Sequence, residues 1–150
     1  MAKPIFILNG PNLNLLGKRE PHIYGSTTLA QVETMCRTRA DALGLAIQFR
    51  QTNHEDQLVD WIQEAIDGAD GLIINPAAYT HTSVAMLDAP KNVPCPIIEL
   101  HISNPHKREE FRHRSFATPA ATASICGLGV DGYPIALDAM AGLIKAKSKA

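Results

Sequence analysis

Ile5, Phe6, Ile7 and Leu8 form an apolar run that stops at Asn9-Gly10-Pro11-Asn12. The pattern predicts a buried strand opening into a loop. That loop runs to about Ser26 through Gly17, Pro21 and Gly25, a length expected of a functional lid rather than a simple connection. Thr28 and Gln31 have capping-box spacing, and Leu29, Val32, Cys36 and Leu43 then share one helical face up to Gly44, which predicts the first crossover helix. Leu45, Ile47 and Phe49 alternate with Ala46, Gln48 and Arg50, the period of a half-buried edge strand. Asn53 is expected to cap a second helix whose stripe is Leu58, Val59, Ile62, Ala65 and Ile66, closing at Gly68.

Two continuous apolar strands follow. Leu72-Ile73-Ile74 runs into Asn75-Pro76, and Ile97-Ile98-Glu99-Leu100 runs into His101. A small-residue strand near Ser124-Ile125-Cys126 meets Gly127 and Gly129. Tyr133, Ala136, Leu137, Met140 and Ile144 then stripe a terminal helix, with residues 145–150 expected to fray. Strands alternating with helices, the central strands apolar throughout, predict an α/β doubly wound five-stranded parallel sheet with helices on both faces. Strand order 2-1-3-4-5 is the expected arrangement, with right-handed crossovers. No repeat or linker interrupts residues 1–150, so one domain is expected.

Composition narrows the function more than the fold. Of 150 residues, 45% are hydrophobic and 19% charged, the balance of an ordinary globule rather than a disordered or coiled-coil chain. The formal net charge of −1 provides no basic field for nucleic acid or an anionic membrane. No apolar run approaches a signal h-region or a membrane span, and a cytoplasmic location is expected. Cys36, Cys95 and Cys126 are widely spaced and are expected to be buried and reduced.

The polar residues fall where strands end. Asn9 and Asn12, Asn75, and Glu99, His101 and Ser103 sit at or just after the carboxyl ends of three predicted strands. In an open parallel sheet those ends share one edge, and ligands bind in the crevice outside it. A single asparagine here is an ordinary turn former; three at one edge point to a pocket. Arg19 precedes Tyr24 by five residues on the long loop. A phenol, with its ordinary pKa of about 10, is a poor base near neutrality. A guanidinium about 4 Å away attracts a phenolate by about 4 kcal/mol at an effective dielectric near 20, roughly what activation needs. The bland reading is a surface arginine and a packing tyrosine.

His101 follows a strand that also carries Glu99, an arrangement in which a carboxylate orients an imidazole as proton donor; a structurally hydrogen-bonded histidine is the alternative. Ser103 and the amides after His101 lead into a short helix expected through Arg108 and Arg112, suited to a carboxylate substrate, or equally a solvated charged face. Phosphate-loop spacing fails at Gly10 and Gly17, no Gly-x-Gly-x-x-Gly turn follows the first strand, and neither a Gly-x-Ser-x-Gly elbow nor a zinc-protease histidine pair is present. Acid/base chemistry without a cofactor or metal survives. A non-catalytic flavodoxin-like ligand-binding or scaffold protein is the rival reading.

The runs Asn9-Gly10-Pro11-Asn12-Leu13-Asn14-Leu15-Leu16-Gly17, Arg19-Glu20-Pro21, Tyr24-Gly25, Asn53-His54-Glu55 and Asn75-Pro76-Ala77-Ala78-Tyr79-Thr80-His81-Thr82-Ser83 resemble type II 3-dehydroquinate dehydratases. The resemblance continues through Glu99, His101, Ser103-Asn104, Arg108-Glu109, Phe111-Arg112 and Gly127-Leu128-Gly129, essentially the whole chain. It implies a flavodoxin-like domain that removes water from 3-dehydroquinate by anti elimination through an enolate, without cofactor or metal, in the shikimate pathway or quinate breakdown.

Carried over by position, the resemblance makes Tyr24 the base, held as phenolate by Arg19 on a mobile lid, and His101 the acid. Asn12 positions a water at the enolate oxygen. Asn75, His81, Ser103 with the Ile102 amide, and Arg112 clamp the substrate, with Glu99 and Arg108 in support. Asp88 corresponds to a residue lent across a subunit boundary, which implies a homo-oligomer, trimers gathered into a dodecamer. Leu87 and Pro90 depart from the family pattern around Asp88, and a proline there ends or kinks the local helix.

Overall fold

The computed structural model describes residues 1–149. Five strands, β1 (Ile5–Asn9), β2 (Ile47–Gln51), β3 (Gly71–Asn75), β4 (Ile97–His101) and β5 (Ala123–Cys126), pair in parallel in the order β2-β1-β3-β4-β5. This is the flavodoxin-like topology that the alternation of apolar runs and helical stripes predicts. Every residue of β1, β3 and β4 is buried, whereas β2 at the edge is half-buried along its length, matching the continuous and alternating patterns read from the chain.

Because side chains alternate across a strand, each central strand feeds two cores. Ile5, Ile7, Ile73, Ile98 and Leu100 meet α2 (Leu29–Leu43) and α6 (Gly132–Lys149) through Val32, Cys36, Ala40, Ala136, Leu137 and Met140. Phe6, Leu8, Leu72, Ile74 and Ile97 meet α3 (Glu55–Gly68) through Leu58, Ile62 and Ala65 on the opposite face. Each fully buried Leu or Ile contributes about 1.5–3 kcal/mol, so both layers are anchored by burial rather than by helix propensity. The α2 capping box is present, with Thr28 Oγ1 accepting from the Gln31 amide at 3.2 Å and Gln31 Oε1 from the Thr28 amide at 2.9 Å. Gly44 ends that helix in the left-handed region.

Four local expectations are corrected. The stretch after β1 is not a bare loop. It holds a 3-10 turn at Leu13–Leu15 and a one-turn helix, α1 (Pro21–Tyr24), entered through Glu20 at φ 40. His54, not Asn53, occupies the N-cap of α3 without a side-chain bond, because the Asn53 side chain accepts instead from the Asn12 amide at 3.0 Å. Residues 145–149 are helical rather than frayed, with Lys147 Nζ bonded to the Pro94 carbonyl at 2.7 Å; residue 150 lies outside the described residues. Cys36 and Cys95 are buried free thiols as expected, but Cys126 is half-buried on the edge strand β5.

Between β3 and β4 the chain makes two single-turn helices, α4 (Tyr79–Thr82) and α5 (Ala85–Asp88), and then a 3-10 turn at Pro90–Asn92. Pro90 ends α5, as its missing amide requires. Among the described residues no helix is long and apolar enough to cross a membrane.

Candidate active site

The chain leaves β1 toward β2 on one side of the sheet, and β3 lies on the other side of β1. A crevice therefore opens where the strand order reverses, at the carboxyl ends. Asn9 and Asn75 are register partners there. Tyr133 from α6 reaches between them, donating to Asn9 Oδ1 at 2.7 Å and accepting from Asn75 Nδ2 at 3.1 Å. Asn75 Oδ1 in turn accepts from the Ala77 amide at 3.1 Å. Since both ends of the Asn75 amide are engaged, its orientation is fixed. Burial, chiefly, raises the Tyr133 phenol above its ordinary range, so it stays a neutral donor.

The floor continues through Asn12, which adopts the left-handed region at φ 69. Asparagine tolerates that conformation better than most residues. The Asn53 side chain holds it through the Asn12 amide, and Gln51 Nε2 braces both Asn53 Oδ1 at 3.1 Å and the Gly10 carbonyl at 3.1 Å. Gly10 itself lies against β3, its amide bonded to the Asn75 carbonyl at 2.8 Å.

One wall is the segment from Gly17 to Gly25. Gly17 (φ 89) and Gly25 (φ 81) bound it in backbone conformations that L side chains rarely adopt. It carries Arg19 and Tyr24. The Arg19 guanidinium sits 4.9 Å from the Tyr24 ring centroid and 3.4 Å from the Glu20 carboxylate. The hydrogen bond to the Tyr24 hydroxyl comes from Arg108 Nη1, at 2.9 Å, and the same nitrogen reaches Ser103 Oγ at 3.3 Å. Arg19 thus stacks on the ring, and Arg108 meets the oxygen. The expected helix through Arg108 and Arg112 is two 3-10 turns, Pro105–Lys107 and Glu110–Arg112, with Arg108 following the first. That break aims Arg108 back at the flap.

The opposite wall is His101 at the end of β4. Its Nε2 lies 2.6 Å from Glu99 Oε2, and both side chains are largely shielded from solvent. Burial taken alone would push the Glu99 carboxyl up. The hydrogen bond and charge of His101, followed by the Ser115 and Thr118 hydroxyls, outweigh it and hold the group at about 2. His81 Nδ1 is 2.7 Å from the Arg114 carbonyl. Burial, with smaller contributions from His101, Arg112 and Arg108, lowers the pKa of His81 and favours its neutral form.

These walls enclose about 50 Å³, room for only one or two waters at roughly 30 Å³ each. Asn12, Arg19, Tyr24, Asn75, His81, His101, Ile102, Ser103, Arg108 and Arg112, all singled out from the sequence, line the crevice. Glu99 stands behind His101 in an adjoining cavity. Asp88, the last residue of α5, lies outside the lining. The bracing roles of Asn53, Tyr133, Ser115 and Thr118 were missed, because each acts through tertiary contacts that leave no local pattern.

An open α/β sheet with a tyrosine and a carboxylate-bound histidine facing one crevice defines the class: an acid/base site at a topological switch point. The family described as Dehydroquinase class II matches residues 3–141, and the chain belongs to it. It is 56% identical to the 3-dehydroquinate dehydratase of Sinorhizobium medicae over 149 residues, 99% of this chain and 100% of the relative. Identity to the 3-dehydroquinate dehydratase of Dinoroseobacter shibae is 60% over 134 residues, 89% of each chain. The crystal structure of type II dehydroquinase from Propionibacterium acnes superposes with a TM-score of 0.90 at 44% identity, covering 95% of this chain and 98% of that one.

Proposed function

We propose that the chain is a hydro-lyase that removes water from 3-dehydroquinate to give 3-dehydroshikimate, with Tyr24 and His101 moving the two protons. Membership of the type II dehydroquinase family and the names of its relatives support the reaction. One observation carries the residue roles: the only phenol and the only carboxylate-bound imidazole of the crevice stand in the same small enclosure among the described residues, each with support of opposite sign. Two guanidiniums flank the Tyr24 phenol. One carboxylate meets the His101 imidazole.

The steps follow from that polarity. The Tyr24 phenolate takes the proton next to the ketone, and the bond's electrons become an enolate whose oxygen a water held by Asn12 stabilises. Collapse of the enolate forms the ring double bond and breaks the bond to the departing hydroxyl, which His101 protonates to water. Return of a proton from Tyr24 to His101 through solvent resets the site, so no electron acceptor is required. Asn75, His81, Ser103 with the Ile102 amide, and Arg112 hold the substrate, Arg112 meeting its carboxylate. Arg19 and the flap lift to admit the ring and close to exclude water.

The working unit in this reading is one catalytic domain in the cytoplasm, assembled as a dodecamer of trimers in which Asp88 reaches a neighbouring site. Mixing the purified protein with 3-dehydroquinate and following the conjugated enone by ultraviolet absorbance tests the reaction. Steady growth of the enone band, unchanged by a chelator, is expected; a flat trace overturns the reading.

A further inference from the structure

The Glu99 carboxylate, 1% exposed in its side chain, is enclosed by hydroxyl groups from four different segments. Oε2 receives His101 Nε2 at 2.6 Å, Ser115 Oγ at 2.5 Å and Thr80 Oγ1 at 3.3 Å; Oε1 receives Thr118 Oγ1 at 2.6 Å and Ser124 Oγ at 3.5 Å. Ser115 Oγ accepts from the Ala117 amide at 3.3 Å and shares a further hydrogen bond with Thr80 Oγ1 at 2.5 Å. All the accepting positions of an ionised carboxylate are thereby used. A protonated Glu99 would have to donate into a shell that is already donating to it, and such a mismatch in a dry site is costly.

We propose that Thr118 and Ser115 are positioning residues for the acid: their hydroxyls keep Glu99 ionised and in one orientation, and through it hold the His101 imidazole facing the crevice. With Nε2 committed to Glu99, Nδ1 is the ring nitrogen left for the substrate. The other titratable groups around the pair are His81 from α4, Arg19 and Tyr24 from the flap, His106, Arg108, Arg112 and His113 from the turns after β4, and Cys126 opposite His101 on β5. Glu99 is the one carboxylate lining either cavity among the described residues. The low Glu99 pKa noted above agrees with this geometry.

The inference rests on His101 acting as the acid, and its test separates the two. Thr118→Val removes one donor at nearly constant shape, while Thr118→Ser keeps it. Losing a hydrogen bond to a charged group corresponds to about 10-fold to 100-fold. Thr118→Val is expected to lower kcat by about tenfold with KM nearly unchanged, to move the acid limb of the pH profile upward, and to be rescued by Thr118→Ser. In a Glu99→Gln background Thr118→Val should cost nothing further. Ser115→Ala, acting on the other oxygen, repeats the test if the valine variant folds poorly. Nitrogen-15 spectra of the His101 ring read the same low-pH inflection without turnover. An unmoved inflection in both variants, or the same loss from Thr118→Val with and without the Glu99 carboxylate, overturns the proposal. Absence of turnover in the unmodified protein instead sinks the functional reading, and the ring-nitrogen titration still decides the role of the hydroxyls.

Discussion

Arg108 Nη1 donates to the Tyr24 hydroxyl at 2.9 Å across 84 residues of sequence, whereas Arg19, five residues from the tyrosine, stacks on its ring with 4.9 Å to the centroid. The two guanidiniums divide the work. Arg108 meets the phenol oxygen, and Arg19 covers the face of the ring.

Arg108→Ala should therefore lower kcat by about 100-fold or more, in the range of a lost charge-stabilising donor, and Arg108→Lys should recover part of it. Arg19→Ala should cost less in kcat. Steady-state kinetics of the three variants check this, and a larger kcat loss for Arg19→Ala than for Arg108→Ala would reverse the assignment.

How far the sequence announces this site depends on where each signal resides. Period and punctuation are local, so the strands ending at Asn9, Asn75 and His101, the Thr28–Gln31 box and the Gly44 stop are all legible before any coordinates. The partner of Tyr24 is not. Proximity in sequence favours Arg19, but the break between two 3-10 turns aims Arg108 at the phenol, and that break has no period to read. Asn53 misleads for a related reason, since a side chain suited to cap α3 is drawn instead to the strained Asn12 backbone.

Glu99 ties stability to pH. Its folded-state pKa of about 2 lies below its ordinary value of 4.5, so its contribution is fully present above about 4.5 and is lost as pH falls toward about 2. Urea midpoints measured across that window should fall more steeply for the unmodified protein than for Glu99→Gln. Parallel curves would show that Glu99 is not held in its ionised form.

Tyr133→Phe deletes the hydroxyl that joins Asn9 to Asn75. Two buried amide groups then lack a partner, at a cost of about 1–3 kcal/mol. The Asn75 amide also loses one of its two restraints. Denaturation should show the destabilisation, and KM should rise several-fold with a smaller change in kcat; an unchanged KM would remove Asn75 orientation from substrate binding.

Gly10→Ala tests the close approach between the first loop and β3. A Cβ at that position would lie 2.4 Å from the Pro76 carbonyl oxygen, a backbone atom that cannot swing aside. A loss of about 1–3 kcal/mol is expected, together with reduced activity as Asn12 shifts. Wild-type stability in urea would mean that the loop yields freely.

The central claim is that Tyr24 and His101 carry the two proton transfers. Turnover of 3-dehydroquinate by Tyr24→Phe and His101→Ala, with ligand binding followed by calorimetry on the same samples, tests it most directly. Each variant should bind within a few-fold of the unmodified protein yet turn over about 100-fold to 10,000-fold more slowly. Near-normal turnover by either folded variant would contradict the account.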